Sequence, residues 1–230
     1  MVLLDKFIVP KGYREMFNYI QNTLQEIGKK FKTDKASHRF KGITYLHIYD
    51  IYLRHLIGKN PNVFEMGVLN GSSFATWKEY FKNAHLCGLD ISPSCAKLPF
   101  KIYIGEQSNE KLLNKIVSEN GLFDVIIDDC SHINELTIKS FNFLWKYVKP
   151  NGIYIIEDLA NSYTKDLGKD IKNGRWPNMD LLDKKIVMKN DRAIMNKIFL
   201  SIIEQIDKRS GTFHFIHFWP MTCVIGKVKG

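Results

Sequence analysis

Residues 62–74 read NVFEMGVLNGSSF. An apolar run, Asn62–Met66, stops at Gly67. A second glycine, Gly71, precedes Ser72 and a helical pattern that aligns Phe74, Trp77 and Phe81 on one face. A strand that ends at glycine and turns into a helix lets a ligand approach the backbone and offers unpaired N–H donors. The spacing is G-x-x-x-G, which a tight structural turn also explains. Two carboxylates add to the ligand reading. Glu65 stands near the end of the strand, and Asp90 ends the next one, 23 positions after Gly67. A carboxylate at that place accepts the ribose hydroxyls of a nucleoside.

The same rhythm continues outward. Strands are expected at His85–Ile91, Lys101–Ile104, Phe123–Ile127 and Ile153–Ile156, the last introduced by a Pro150-Asn151-Gly152 turn. Helices are expected at Ser108–Glu119, at 133–148 and at 192–207, with Phe141, Leu144 and Val148 aligned in the second. Alternating strands and helices imply a parallel sheet covered on both faces. The last two β-rich runs, Thr212–Phe218 and Met221–Lys227, flank Trp219-Pro220 and read as an antiparallel hairpin. An α/β sheet that closes on such a hairpin suits a methyltransferase-type Rossmann fold better than a dehydrogenase-type one. Before the first strand, residues 12–30 and 44–57 show helical periodicity around a polar, basic loop at 31–43. The division expected is therefore a helical region at 1–60 and a core at 61–230. Its polar stretch 159–190 follows a strand and has the length of an active-site lid.

Composition narrows the classes. The 230 residues are 45% apolar and 25% charged, ordinary for one globular domain and wrong for a disordered or fibrous chain. Lys and Arg outnumber Asp and Glu by 33 to 24, which points either to an anionic partner or to a lysine-rich solvated surface. Cys87, Cys95, Cys130 and Cys223 form no CxxC pair, so no structural zinc or redox motif is expected, and reduced thiols fit a cytoplasmic protein. Residues 1–13 lack a signal-peptide core, and no apolar run approaches the ~18 residues of a membrane span.

Two acidic motifs carry the chemistry. Asp128-Asp129-Cys130-Ser131-His132 follows one expected strand, and Glu157-Asp158 follows another. Neighbouring parallel strands lie only about 4.8 Å apart, so the two motifs converge if those strands pair. Clustered carboxylates repel one another unless a cation neutralises them, and oxygen ligands suit Mg²⁺, Mn²⁺ or Ca²⁺. His132 then stands close enough to serve as a general base, with an intrinsic pKa near 6.5. Asp and Ser in such places also cap helices, which is the plain alternative for Ser131.

These residues resemble a known family. FEMGVLNGSS, GLDIS, IGEQS, FDVIIDDCSH and NGIYIIEDLANSY look like the class I S-adenosylmethionine-dependent O-methyltransferases. They are similar in particular to the metal-dependent sugar O-methyltransferases of macrolide and bacterial saccharide pathways. Thr33-Asp34-Lys35, His38 and the Tyr45, Tyr49 and Tyr52 helix match as well, so the likeness spans about residues 30–227. The resemblance implies Mg²⁺ (or Mn²⁺) held by Asp129, Glu157 and Asp158, with His132 as base. It implies an S-adenosylmethionine site around Glu65, Gly67, Asn70, Gly71, Ser72, Asp90, Ile91 and Asp128, with Gln107 beside the adenine. Cys130 stands where the family commonly has Gly, and Glu106 where it commonly has Asp.

The activity implied is methylation of a sugar hydroxyl that lies beside a second oxygen, on a nucleotide-linked sugar, polysaccharide or glycoside. A catechol or another small diol chelates in the same way and is the alternative acceptor. The charge suggests an RNA methyltransferase, but no RNA-binding module or N-P-P-Y-type motif supports a nucleic-acid partner. A noncatalytic cofactor binder is disfavoured by the acid–His constellation, and an iron hydroxylase by the missing 2-His-1-carboxylate pattern. The N-terminal helices leave a homo-oligomer open.

Overall fold

The computed structural model describes residues 23–37, 42–167, 178–186 and 189–229. The early part of the 12–30 helix, His38, and Gly168, Gly174, Arg175, Trp176 and Pro177 of the lid lie outside them.

Seven strands form one sheet: β1 (Asn62–Met66), β2 (His85–Asp90), β3 (Lys101–Ile104), β4 (Phe123–Asp128), β5 (Val148–Ile156), β6 (Phe213–Trp219) and β7 (Thr222–Lys227). Their order is β3-β2-β1-β4-β5-β7-β6. The first five run parallel, and β7 inserts antiparallel between β5 and the edge strand β6. The chain moves outward from β1 through β2 to β3, then returns to start β4 on the other side of β1. That reversal is the topological switch point at which such sheets bind ligands.

Period-2 alternation divides the strand side chains between two cores. Phe64, Met66, Phe123, Ile126, Tyr154 and Ile156 join one cluster with residues of α4 (Glu110–Asn120), α5 (Asn134–Leu144) and α6 (Arg192–Asp207). Val63, Val125, Ile127, Ile153 and Ile155 join the other with α2 (Tyr45–Leu53), α3 (Ser72–Phe81) and the α1 helix at 23–31. The N-terminal helices thus share a core with the sheet through Leu24, Leu46, Tyr49 and Leu53. Each large apolar side chain buried in this way contributes roughly 1.5–3 kcal/mol. Thr44 caps α2: its hydroxyl accepts from the His47 N–H, and the His47 ring Nδ1 accepts from the Thr44 N–H.

Several expected boundaries move. The 133–148 helix stops at Leu144 and tightens into a 3-10 turn, Trp145–Tyr147. The Ser108–Glu119 helix begins two residues later, at Glu110, because Asn109 accepts the Leu112 N–H as its N-cap. Pro150-Asn151-Gly152 is not a turn before a strand but lies inside β5. The β4–β5 register shifts between Phe123 and Val125, and Asn151 takes a left-handed φ of 59°, so the proline sits in an irregular stretch where no ladder donor is needed. Among the described residues, no helix is long and apolar enough to cross a membrane.

Candidate active site

The strand ends build the site. Gly67 N–H donates to Leu89 O, Asp129 N–H to Met66 O, Glu157 N–H to Asp128 O, and Gly105 N–H to Asp90 O. These bonds stitch the C-terminal tips of β1 to β5 into one rim. A cavity of about 470 Å³ opens along it, lined among others by Gly67, Leu69, Asn70, Ser72, Asp90, Ile91, Glu106 and Gln107. Asp129, Cys130, His132 and Asp158 complete its other end, with Lys35 from the N-terminal turn and Asn178 and Leu182 from the 159–190 segment. Leu69, His132, Asp158 and Asn178 all hold left-handed backbone, with φ of 53°, 55°, 54° and 66°. Non-glycine residues in that region carry strain that the surrounding structure must overcome, and they concentrate at functional sites. Here, four of them line one cavity.

β4 and β5 are adjacent and parallel, with Asp128 opposite Ile156, so the two acidic motifs meet. Asp129, Asp158 and His132 place one ligand atom each within 4.8 Å of one another. His132 Nε2 lies 3.6 Å from Asp158 Oδ2 and 3.9 Å from Asp129 Oδ1. Tyr45 donates its hydroxyl to Asp158 Oδ1. The His132 carbonyl accepts from Asn190 Nδ2 at 2.8 Å, which fixes the strained residue from behind. Two carboxylates beside an imidazole fit a hard or borderline divalent cation, and the same imidazole can take a proton.

Not every expected site residue reaches the cavity. Glu65, Gly71, Asp128 and Glu157 do not line it. Glu65 alternates with Phe64 and Met66 and so faces α3, where Oε2 accepts from Trp77 Nε1 at 2.8 Å. Burial pushes its carboxyl up, against the opposing charge of Lys35. Glu157 is 3% exposed, and its Oε1 accepts from Lys35 Nζ at 2.7 Å and from the Tyr49 hydroxyl. Gly71 serves as the N-cap of α3, with φ of 78°.

Asp90 and Gln107 line the cavity but are heavily engaged. Asp90 Oδ2 accepts from the Val68 and Leu69 N–H groups at 2.8 and 2.9 Å, and Oδ1 accepts from Ser92 N–H at 2.8 Å. A carboxylate offers about four lone-pair positions, so Asp90 holds the glycine loop first and keeps about one for a ligand hydroxyl. Gln107 donates to Asp128 Oδ1 and Ser140 Oγ, each at 3.3 Å, and accepts from Ser131 N–H at 3.0 Å. It ties the β3 loop to the loop that carries His132.

Asp128 completes that tie with Ser140 Oγ and the Tyr154 hydroxyl, at 3.1 and 3.2 Å. Burial pushes its carboxyl up to about 7. Because the folded value lies above the unfolded one, the associated stability is full below about pH 4 and is lost as pH rises through 7. The loss amounts to at most about 4 kcal/mol. Asp128→Asn is expected to flatten this dependence, so the variant's urea midpoint rises relative to that of wild type from pH 5 to pH 8. Parallel midpoints at the two pH values would remove Asp128 as the titrating group.

Reading 31–43 as a polar loop leaves Lys35 without a role, and the structure gives it one. It stands in a 3-10 turn, Asp34–Ala36, and its side chain is 2% exposed. Burial alone would lower the ammonium's pKa, but Asp129, Glu157 and Glu65 outweigh it and hold it well above the usual lysine value. Its presence in the Thr33-Asp34-Lys35 motif was the available signal.

No family model matches the chain. The solved structure of MycE methyltransferase from the mycinamycin biosynthetic pathway, in complex with Mg and SAH, superposes with a TM-score of 0.66 at 25% identity. The match covers 90% of this chain and 55% of that one. The chain has the class I methyltransferase fold. Demethylmacrocin O-methyltransferase of Streptomyces fradiae is 33% identical over 136 residues, 55% of this chain and 34% of that protein. L-olivosyl-oleandolide 3-O-methyltransferase of Streptomyces antibioticus is 30% identical over 156 residues, 63% and 39% respectively. The chain spans little more than a third of the length of these relatives and about half that of the solved structure.

Proposed function

We propose that this class I fold is an S-adenosylmethionine- and Mg²⁺-dependent O-methyltransferase of a sugar hydroxyl. The observation that carries the reading is the meeting of His132 with Asp129 and Asp158 at one end of a cavity whose other end is the glycine loop and Asp90. The relative named L-olivosyl-oleandolide 3-O-methyltransferase, whose named substrate carries an olivosyl group, supports it. The residues assigned to the methyl donor are Gly67, Asn70, Ser72, Asp90, Ile91 and Gln107, with Glu65, Gly71 and Asp128 supporting them from behind. Asp129 and Asp158 are the cavity-facing carboxylates for the cation, with Glu157 next to them.

Bound S-adenosylmethionine would supply an electrophilic methyl on a sulfonium, and a divalent cation would supply Lewis-acid polarisation of a chelating pair of oxygens. The chain's own residues do the rest. His132 Nε2 would take the proton that the acceptor hydroxyl gives up when it is methylated, the donor leaving as a neutral thioether. Asp129 and Asp158 flank the ring and stabilise the imidazolium that results. The strand-end bonds hold donor loop and base in one frame, which turns alignment into rate. The division expected at 1–60 and 61–230, with 159–190 as lid, is kept in this reading, and its support is that Asn178 and Leu182 of that stretch line the cavity. The cytoplasm suits this chemistry and the four unpaired cysteines.

The test is methyl transfer from S-adenosylmethionine to nucleotide-linked sugars and free glycosides, with catechols in parallel. Activity on sugars is expected to vanish in EDTA and return with Mg²⁺. Undiminished turnover in EDTA would sink the cation role, and preference for catechols would transfer the reading to small diols.

A further inference from the structure

Three segments meet at one buried side chain behind the cavity. Asn190 ends the 159–190 stretch and is 2% exposed. Its Nδ2 donates to two backbone carbonyls, His132 O and Asn161 O, at 2.8 Å each. Its Oδ1 accepts from the Asn134 N–H at 2.8 Å, and its own N–H donates to Thr164 O at 3.2 Å. Asn161 lies in the 3-10 turn Leu159–Tyr163 that follows β5, whereas His132 lies in the loop that follows β4. Neighbours close the knot. Asn134 Nδ2 donates to Ser162 O at 3.2 Å and to Asp191 O at 2.8 Å, and Arg192 Nη1 donates to Ser162 Oγ at 3.3 Å. The two ends of the stretch, 161–164 and 190–192, are thus held to each other. Beneath the stretch, Leu167 and Leu182 pack with Ile133 and Leu136 in a cluster separate from both sheet cores.

We propose that Asn190 is a positioning residue for His132. It ties the His132 carbonyl to the closed ends of the 159–190 stretch and so sets where the imidazole stands in the cavity. The inference rests on the reading of His132 as the base. His132 holds a left-handed φ of 55°, a conformation that persists only where its surroundings over-determine it. A bond to its carbonyl fixes the peptide plane that follows and keeps the residue from relaxing to an ordinary φ. Such a relaxation swings the ring away from its place. The residue type fits the task. A side-chain amide offers two donors and an acceptor in one plane, and here the donors go to carbonyls on two different strand-end loops.

The experiment compares Asn190→Ser, which keeps one donor, with Arg192→Gln, which loosens the same ends at Ser162 without touching His132. The first readout is the His132 ring-proton resonance in the whole protein without methyl donor, assigned by its absence from His132→Ala. It is expected to shift or broaden in Asn190→Ser and to stay in place in Arg192→Gln, while the exposed His55 and His85 stay in place in both. The second readout is kcat at saturating S-adenosylmethionine, on whichever nucleotide-linked sugar or free glycoside turns over fastest. Asn190→Ser is expected to lower it about 10–100-fold, the cost of a misplacement of about 1 Å, with the donor's dissociation constant within about threefold of wild type. In a His132→Ala background the same substitution should change kcat by less than about threefold, because the group it positions is gone. An unmoved His132 resonance, an equal shift in Arg192→Gln or an equal fall in the two backgrounds overturns the proposal. So does loss of the fold in Asn190→Ser, which assigns Asn190 to the fold instead of the base. Fast turnover by His132→Ala overturns the base reading together with this inference, whereas a slow His132→Ala with an additive Asn190→Ser loss overturns this inference alone. Absence of turnover on every sugar counts against the proposed function, and the resonance then decides this inference by itself.

Discussion

His132→Ala lowers methyl transfer by about 10²–10⁴-fold and leaves the dissociation constant of S-adenosylmethionine within about threefold of wild type. The two effects separate because His132 stands at the acidic end of the cavity, beside Asp129 and Asp158, while the glycine loop and Asp90 form the other end. An alcohol attacks a sulfonium well only as it loses its proton, and Nε2 is the nitrogen turned toward the two carboxylates. Alanine also inherits a left-handed φ of 55°, which costs about 1–2 kcal/mol on its own. His132→Asn therefore serves as the control, because asparagine tolerates that backbone and lacks a basic nitrogen. Both variants should be equally slow, and added imidazole should partly restore the alanine variant by occupying the vacated space. A fast asparagine variant would assign the alanine defect to backbone strain and remove His132 as base.

How far the sequence reaches depends on the range of the signal. Asn62–Met66, Lys101–Ile104 and the 192–207 helix coincide with β1, β3 and α6, because local apolar periodicity and glycine stops are sufficient there. Adjacency of the motifs after β4 and β5 was conditional on pairing that the sheet order then supplies. What local patterns could not give is Lys35. Its burial depends on carboxylates 30, 94 and 122 positions away, on three different strands or their ends. Read locally, FKTDKASHRFKGI is a solvated basic loop. Glu65 is an intermediate case. Alternation with Phe64 and Met66 already sets it on the opposite face of β1, but only the packing of Trp77 beneath it says what that face holds. Asp90 shows a third kind of limit. A strand-end carboxylate is readable as a ribose acceptor, whereas its prior commitment to three backbone N–H groups belongs to the folded loop.

Gly67→Ala is expected to be the most damaging single-methyl change in the site. Gly67 has φ of 89°, outside the comfortable range of an L side chain, and an added Cβ would lie 1.8 Å from Asp129 O and 2.6 Å from Asp129 C. Both are backbone atoms and cannot rotate aside. They are also held in place, since Asp129 N–H is bonded to Met66 O and Gly67 N–H to Leu89 O. Relief requires the ends of β1 and β4 to part, which carries Asp129 away from Asp158 and Lys35 and breaks the rim. Left-handed strain of about 1–2 kcal/mol and overpacking of about 1–3 kcal/mol together approach the lower end of a domain's net stability. The urea midpoint should fall sharply, and whatever folds should bind S-adenosylmethionine at least about a hundredfold more weakly, equivalent to about 2.7 kcal/mol. Gly121→Ala isolates the cause. Its φ is 74°, but an added Cβ there meets nothing within 4 Å, so it should lose only the backbone term. Equal destabilisation of the two variants would mean that conformation alone, and not the approach of Asp129, requires glycine at position 67.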